Sequence, residues 1–263
     1  MKFHLFISAF IICQLSCTNE SFPPCLIDSD QIDYPFIAHS HNDYDQVLPI
    51  STAIDHGFTS LEVDIAFDGL DLRISHDDKN LDEKLEFEES YLLPLMNQEI
   101  RDGGVLLLVD IKNYSPQLID QLNLILNKHE CKLVSRSTLN DTEGKIKIVL
   151  SGEIPRQEIV EDATNRFLFI DGRLTDFDLN ASSDIVPLIS LNIADISNSD
   201  ADNEGALRNV ISQVHDQNKM IRFWNTNDKE SVWLSLIELQ VDILGVDDLE
   251  KFCGAMKANG FIN

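Results

Sequence analysis

The chain has 263 residues, and its 45 Asp and Glu against 20 Lys and Arg give a formal net charge of −25. Apolar residues make up 43 %, which excludes disorder caused by a lack of core-forming side chains. The acid excess argues against a nucleic-acid binder and against a polybasic membrane-surface protein, because both need a positive field. An anionic substrate stays compatible with this charge where a metal ion or a few cations reverse its sign locally.

The N-terminus predicts an export signal. Met1-Lys2 precedes an apolar stretch that ends near Cys13 and is shorter than the about 20 residues of a membrane span. A basic residue, a short apolar core and small polar residues are typical of a signal peptide, here residues 1–17. The segment before Cys17 also resembles a bacterial lipoprotein cleavage site. We therefore expect export to the bacterial cell envelope with a lipid anchor at Cys17, or else to the periplasm or the medium.

Residues 18–34 are polar and aperiodic, which predicts a linker, and residues 35–263 alternate short apolar runs with helical periodicity. The predicted strands are Phe36–His39, Ser60–Ala66, Val105–Ile111, Ile146–Leu150, Phe167–Asp171, Val186–Leu191, Met220–Trp224 and Asp242–Val246. The predicted helices are Leu48–His56, Pro116–His129, Glu204–Asn218, Glu230–Leu239 and Leu249–Ala258. This order favours an α/β fold, a single-domain (β/α)8 TIM-type barrel with one irregular repeat at 172–184. An open doubly wound sheet is the alternative, although no Gly-rich phosphate loop follows the first strand.

Polar residues stand at or just past the ends of the first three predicted strands. In chain order they are His39, His41, Asn42, Glu62, Asp64, His76, Asp110 and Lys112. Glu62 and Asp64 are two residues apart in a strand, so their side chains point to the same face. Because the carboxyl ends of the strands build the active site of such barrels, we expect the whole set to converge there.

The chemistry of this set is that of phosphodiester cleavage. Converging carboxylates repel unless a cation neutralises them, and Glu62, Asp64 and Asp110 offer the oxygen ligands that suit one Mg²⁺ or Ca²⁺ ion. His39 and His76 are the expected general acid and base.

Other residues are expected to contact the substrate. Lys112 would hold an anionic phosphate oxygen beside the metal. His41 and Asn42 would orient the site or the substrate. An equal alternative is a purely structural role, in which they form hydrogen bonds only within their own loop. Trp224 would cover the substrate or pack against the barrel.

At these residues the sequence resembles the phospholipase C-like phosphodiesterase superfamily, which includes glycerophosphodiester phosphodiesterases and phosphatidylinositol-specific phospholipases C. The most similar branch opens with His-x-His-Asn-Asp-Tyr and includes proteins related to the altered inheritance of mitochondria proteins. His39 and His76 match the two catalytic histidines, and the Glu62-x-Asp64 pair matches the metal-binding motif. Asp110 stands where the family often has Glu, so this ligand is one methylene shorter.

Late in the chain, Arg222-Phe223-Trp224 and the segment 245–248 are similar to further motifs of that branch, which adds Arg222 to the expected substrate-binding residues. The resemblance implies a (β/α)8-type barrel and a phosphoric diester hydrolase that uses a divalent metal. A small or lipid-borne substrate, glycerophosphodiester-like or phosphoinositide-like, is the expected partner.

Two other functions stay open at this point. The His39-Ser-His41 pattern also begins metal-dependent amidohydrolase barrels, although those sites need further His ligands on middle strands. A non-catalytic surface protein that binds phosphoesters is the third possibility, and it would not need two proton carriers.

Overall fold

The computed structural model describes residues 35–136, 144–197 and 203–262. The expected signal peptide 1–17, the lipid anchor at Cys17 and the linker 18–34 lie outside the described residues. Within the described ranges, no helix combines the length and the apolar character that a membrane crossing requires.

One sheet of nine strands organises the chain. The strands are β1 (Ile37–Ser40), β2 (Ser60–Phe67), β3 (Leu72–Ile74), β4 (Val105–Ile111), β5 (Ile146–Gly152), β6 (Leu168–Gly172), β7 (Leu188–Asn192), β8 (Met220–Trp224) and β9 (Ile243–Val246). All except β3 run parallel, and β1 pairs with both β9 and β2, so eight strands close into a barrel. The predicted single-domain (β/α)8 barrel is confirmed.

Helices connect the parallel strands. They are α1 (Ser51–Asp55), α2 (Leu93–Met96), α3 (Pro116–Lys128), α4 (Arg156–Glu161), α5 (Asp176–Asn180), α6 (Ile193–Ser197), α7 (Asn203–His215), α8 (Glu230–Glu238) and α9 (Leu249–Ala258). The five-residue α5 lies in the repeat that was expected to be irregular. Helices α2, α4 and α6 were not predicted, because they are too short to show a clear helical period.

The α3 helix illustrates how local sequence sets an element. Ser115 caps its first turn by accepting a hydrogen bond from the backbone N–H of Leu118, and Pro116 occupies the first turn, where its missing N–H costs nothing. Leu118, Leu122 and Leu126 recur at a spacing of four residues and are buried, so they form the face that packs on the barrel.

The barrel interior is apolar at its amino end and polar at its carboxyl end. Its apolar cluster consists of Leu106, Leu108, Val149, Phe169, Leu188 and Ile243. The inward-facing residues further along β2 and β4 are Glu62, Asp64 and Asp110. This division leaves the charged groups at the end of the barrel where the connecting loops leave the strands.

The β2 strand continues past the barrel into a hairpin with β3, which runs antiparallel to it. Gly69 forms the turn with a φ of +103°, a conformation that residues with a side chain rarely adopt. The hairpin brings His76, which follows β3, back to the carboxyl end of the barrel.

Candidate active site

Three carboxylates meet at the carboxyl end of β2 and β4. The register aligns Asp64 with Asp110. One oxygen each from Glu62, Asp64 and Asp110 lies within 4.8 Å of the others. Burial raises the pKa of Asp110, and the charges of Glu62 and Asp64 add to that rise while Lys112 opposes it.

These residues fit a hard divalent cation. Asp64 is fully buried, and its Oδ1 atom has no hydrogen-bond partner among the described residues. A buried carboxylate oxygen without a partner is costly, and a cation ligated there would remove that cost. Oxygen-only ligands favour Mg²⁺ or Ca²⁺ over zinc.

Glu62 is held from behind by two side chains. Its Oε2 atom accepts from Arg222 Nη2 at 2.7 Å and lies 2.8 Å from His39 Nε2. Burial acts to raise the pKa of Glu62, but Arg222 and His39 outweigh it and hold that pKa below its usual range. Glu62 is therefore ionised, with its position set by these two neighbours.

His39 lies behind this carboxylate, away from solvent. The residue is fully buried, and its Nδ1 atom lies 2.7 Å from Ser60 Oγ. Burial lowers the pKa of His39 to about 4, and Arg222 adds to this, so the ring is neutral near pH 7. Both ring nitrogens are already hydrogen-bonded.

Asp64 accepts three further contacts through its Oδ2 atom. His76 Nδ1 lies at 2.7 Å, Tyr44 Oη donates at 2.9 Å, and Lys112 Nζ lies at 3.0 Å. Lys112 also bonds Asp110 Oδ2 at 3.1 Å. Burial acts to lower the pKa of Lys112, but these two carboxylates outweigh it and raise that pKa, so the lysine stays cationic.

His41 and Asn42 lie in the loop that follows β1 and line the cavity. His41 Nδ1 lies 2.7 Å from Asp247 Oδ1, and the hydrogen bond raises the pKa of His41 against the opposing effect of burial. Asn42 has a left-handed backbone with φ of 46°, which turns the chain away from the strand direction.

The Asp of the same motif, Asp43, is structural. It is fully buried and accepts hydrogen bonds from the Tyr91 hydroxyl, the Ser40 hydroxyl and the backbone N–H of Ile50. Burial raises its pKa although these donors oppose the rise. Asp43 therefore anchors the loop that carries His41 and Asn42.

A cavity of about 760 Å³ opens above the carboxylates. Most of the predicted site residues line it, namely His41, Asn42, Glu62, His76, Asp110, Lys112, Arg222 and Trp224. Asp64 and His39 are the exceptions, because both are fully buried. Trp224 is 42 % exposed, so it lies at the cavity instead of packing wholly inside the fold.

Several further cavity residues were not predicted from the sequence. Tyr114, Ser151, Arg156 and Arg173 line the cavity with the backbone of Gly152. Only the placement of Ser151 and Arg173, at and just past the ends of β5 and β6, offered a signal for them. No residue pattern in those strands resembles a motif, so they were not singled out.

The amidohydrolase alternative gains no support. Within the described residues, the group of side chains that could hold a metal contains only carboxylates. Amidohydrolase sites need histidines on the middle strands, and here β5, β6 and β7 contain none.

Comparison with known proteins is consistent with this site. Residues 29–102 match the AIM6-like phosphodiesterase domain. The altered inheritance of mitochondria protein 6 of Eremothecium gossypii is 25 % identical over 81 % of this chain and 67 % of its own length. Its homolog in Arthroderma benhamiae is 23 % identical over 82 % of each chain.

Solved structures share the fold. A glycerophosphodiester phosphodiesterase from Parabacteroides distasonis superposes with a TM-score of 0.58 at 10 % identity, covering 86 % of this chain and 99 % of that one. A Ca²⁺-dependent phosphatidylinositol-specific phospholipase C from Streptomyces antibioticus gives 0.59 at 13 % identity, covering 85 % and 96 %. The resemblance expected from the sequence is confirmed, and the chain shares the barrel fold of these phosphodiesterases.

The expected location is wrong. Both curated relatives are fungal proteins named for mitochondrial inheritance, and they point to a eukaryotic protein instead of a bacterial envelope protein. A short apolar run after a basic residue is a weak signal that does not identify the organism or compartment, which is why it misled the prediction.

Proposed function

We propose that this chain, a relative of the altered inheritance of mitochondria 6 proteins within the phospholipase C-like phosphodiesterase superfamily, is a divalent-metal-assisted phosphodiester hydrolase. Its substrate would be glycerophosphodiester-like or phosphoinositide-like. The observation that carries the proposal is the meeting of Glu62, Asp64 and Asp110 beside Lys112, with the buried Asp64 Oδ1 atom unpartnered within the described ranges.

Glu62, Asp64 and Asp110 would hold one Mg²⁺ or Ca²⁺ ion. When bound, the ion supplies positive charge that stabilises the negative charge on the reacting phosphoryl group. Three carboxylates and one dication leave the site with a net negative charge, so further cations are needed to attract a phosphate.

Lys112 and Arg222 supply those cations. Lys112 Nζ contacts two of the three carboxylates and lines the cavity, so it can also reach a phosphate oxygen bound beside them. Arg222 also lines the cavity, while its Nη2 atom bonds Glu62. Charge-assisted bonds of this kind are stronger than neutral ones.

His41 and His76 are the proposed proton carriers. Both line the cavity, and each has its Nδ1 atom bonded to a carboxylate, of Asp247 and Asp64 respectively. Because a carboxylate only accepts, Nδ1 carries the proton in each ring and Nε2 is left to take or give a proton. One ring would accept the proton of the attacking oxygen and the other would protonate the leaving oxygen.

His39 is better suited to a positioning role than to the proton transfer that the sequence predicts for it. Both of its ring nitrogens are hydrogen-bonded and it does not line the cavity. The neutral ring donates from Nε2 to Glu62 and accepts at Nδ1 from the Ser60 hydroxyl, which holds Glu62 towards the other carboxylates.

The cavity accommodates a head group of modest size, and Tyr114 and Trp224 present partly exposed aromatic rings to it. The attacking oxygen is either water or a neighbouring hydroxyl of the substrate, which would give a cyclic phosphate first. Either version uses the same two histidines.

A head-group screen tests the proposal. Purified protein is incubated with a panel of glycerophosphodiesters and inositol phosphodiesters, with Mg²⁺ or Ca²⁺ or with EDTA, and the released phosphomonoester or cyclic phosphate is measured. We expect release that EDTA abolishes and that His76→Ala removes. His129→Ala is the matched control, because His129 follows α3 and bonds Glu88 outside the cavity.

Two results would contradict the proposal. Diesters that raise the melting temperature without any released product would indicate a binding protein. Activity that depends on tightly bound zinc and acts on amides would indicate the amidohydrolase class.

A further inference from the structure

The cavity wall at the ends of β5 and β6 carries two arginines that the proposed reaction does not use. Arg156 lies at the start of α4, Arg173 follows β6, and both line the cavity. Two guanidinium groups on one wall are unusual in a chain with a net charge of −25.

The arginines are held in place by the ends of β5 and β6. Arg156 donates from Nη2 to the Gly152 carbonyl at 2.7 Å and from Nε to the Asp171 carbonyl at 3.2 Å. Arg173 donates from Nη1 to Asp171 Oδ2 at 3.0 Å and to the Gly172 carbonyl at 2.9 Å. Their orientation is therefore fixed before any ligand binds.

Three carboxylates, of Asp171, Asp178 and Glu153, lie near the two arginines. The carboxylate of Asp171 is buried beneath the arginines and pairs with Arg173. Glu153 also lines the cavity, is exposed, and forms no ion pair with either arginine in the described part of the chain. Burial and the charge of Arg173 lower the pKa of Arg156, and the charges of Asp178, Asp171 and Glu153 oppose that change.

Arg156 also keeps free donors. Among the described residues, no acceptor contacts its Nη1 atom, so this part of the guanidinium is available to a ligand in the cavity. A planar guanidinium is suited to bind the two oxygens of a carboxylate or phosphate.

The strand register gives the distance of this wall from the metal ligands. Asp110 on β4 lies opposite Ser151 on β5, whose hydroxyl bonds Asp171 on β6 at 2.7 Å. Two steps between neighbouring strands separate β4 from β6, which is about 10 Å. This is the spacing of the strand backbones, and a head group with two anionic groups can span it.

We propose that Arg156 and Arg173 form a second anion-binding subsite, which takes a phosphomonoester or carboxylate carried by the head group of the substrate. The inference rests on the proposed function, since it assumes that the scissile phosphate lies at the carboxylates. The substrate would then be an anionic phosphodiester instead of one with a neutral or cationic head group.

The test measures binding of short ligands that need no turnover. Alkyl monophosphates, α,ω-alkanediol bisphosphates and ω-phosphocarboxylates of graded length are titrated by calorimetry with Mg²⁺ present. We expect the second anion to tighten binding about tenfold for spacers that span roughly 10 Å. Shorter spacers should give no gain in affinity. The carboxylate and phosphate arms tell which anion the subsite takes.

Variants test whether the two arginines cause this gain in affinity. Arg173→Gln and Arg156→Gln should each reduce it to less than about twofold while monophosphate binding is retained. Arg156→Gln is the safer variant, because Arg156 bonds only backbone carbonyls. Arg208→Gln, an exposed arginine on α7 that pairs with Glu204, is the matched control and should keep the full gain.

The proposal of a second subsite is wrong if the second anion gives the wild-type protein no gain in affinity. It is also wrong if Arg156→Gln leaves that gain unchanged. Failure of the proposed function is a separate result, because it would appear as an absence of metal-dependent diester cleavage whatever the binding data show.

Discussion

His41 and Asp247 join the two strands at which the barrel closes. The register pairs Ser40 of β1 with Val246 of β9, so the next residue of each strand end faces the other. His41 Nδ1 lies 2.7 Å from Asp247 Oδ1, and Gln46 Nε2 bonds the Asp247 carbonyl at 2.9 Å. The carboxylate thus orients the imidazole ring and raises its pKa.

Removing this carboxylate should shift the pH profile of turnover. In Asp247→Asn the pKa of His41 falls towards its ordinary value, because the hydrogen bond that raises it is weakened. The limb of the kcat profile that reports His41 should therefore move to lower pH. An acidic limb that moves would identify His41 as the base, and an alkaline limb would identify it as the acid.

The control for this profile is Asp216→Asn, an exposed position after α7 at the opposite end of the barrel. It should leave both limbs in place. A profile of Asp247→Asn that superposes on the wild type would remove His41 from the proton transfer.

Alanine variants of the three histidines should differ in whether they lose turnover or stability. His41→Ala and His76→Ala remove partly exposed rings, so we expect kcat to fall by about 10²–10⁴ with little loss of stability. His39→Ala leaves the buried Ser60 hydroxyl without its partner and Glu62 with Arg222 alone, so the free energy of unfolding should fall by about 2–4 kcal/mol. Turnover assays and urea denaturation measure both quantities.

One outcome would restore the assignment made from the sequence. His39→Ala with wild-type unfolding energy and wild-type metal affinity, but with turnover reduced as in His76→Ala, would make His39 the proton carrier. His41→Ala would then keep most of its activity.

The barrel was predictable because its strands are mostly apolar, with Asp110 and Arg222 as the charged exceptions in the two that follow. Val105–Ile111 and Met220–Trp224 have the predicted bounds, since a strand buried on both faces needs mainly apolar residues. The carboxylates were predictable too, because the spacing of Glu62 and Asp64 places both on one face and the register aligns Asp64 with Asp110.

The burial of His39 was not predictable from the sequence. Alternation alone places His39 and His41 on the same face, but β1 ends at Ser40 and the left-handed Asn42 turns the loop. Arg156 and Arg173 were also beyond reach, because their proximity depends on how β5 and β6 pair. Contacts between distant segments leave no local period in the sequence.

Metal binding should stabilise the fold in a way that depends on Asp64. Millimolar Mg²⁺ or Ca²⁺ should raise the melting temperature of the wild type, and occupancy at 100 times Kd corresponds to about 2.7 kcal/mol. Asp64→Asn should lose this increment, since it removes charge from the ligand group and leaves an amide in place of the unpartnered oxygen. Thermal unfolding with and without metal gives the increment directly.

Asp216→Asn is again the matched control variant, and metal should raise its melting temperature as much as that of the wild type. If Asp64→Asn gains as much stability from the metal as the wild type does, the ion binds elsewhere and the proposed metal site is wrong.

A substitution at Gly152 should lower both the stability of the fold and its affinity for the metal. The same substitution at Gly69 is the control. Both have positive φ values, +87° and +103°, so alanine at either position costs roughly 1–2 kcal/mol of backbone strain. A Cβ at Gly152 would also contact the Ile111 carbonyl and lie 2.5 Å from Asp110 Oδ1, whereas a Cβ at Gly69 meets nothing. Gly152→Ala should therefore unfold at lower urea concentration than Gly69→Ala and bind Mg²⁺ more weakly, because Asp110 must move. Equal unfolding energies and equal metal affinities in the two variants would show that Asp110 is not held against Gly152 in the metal-binding state.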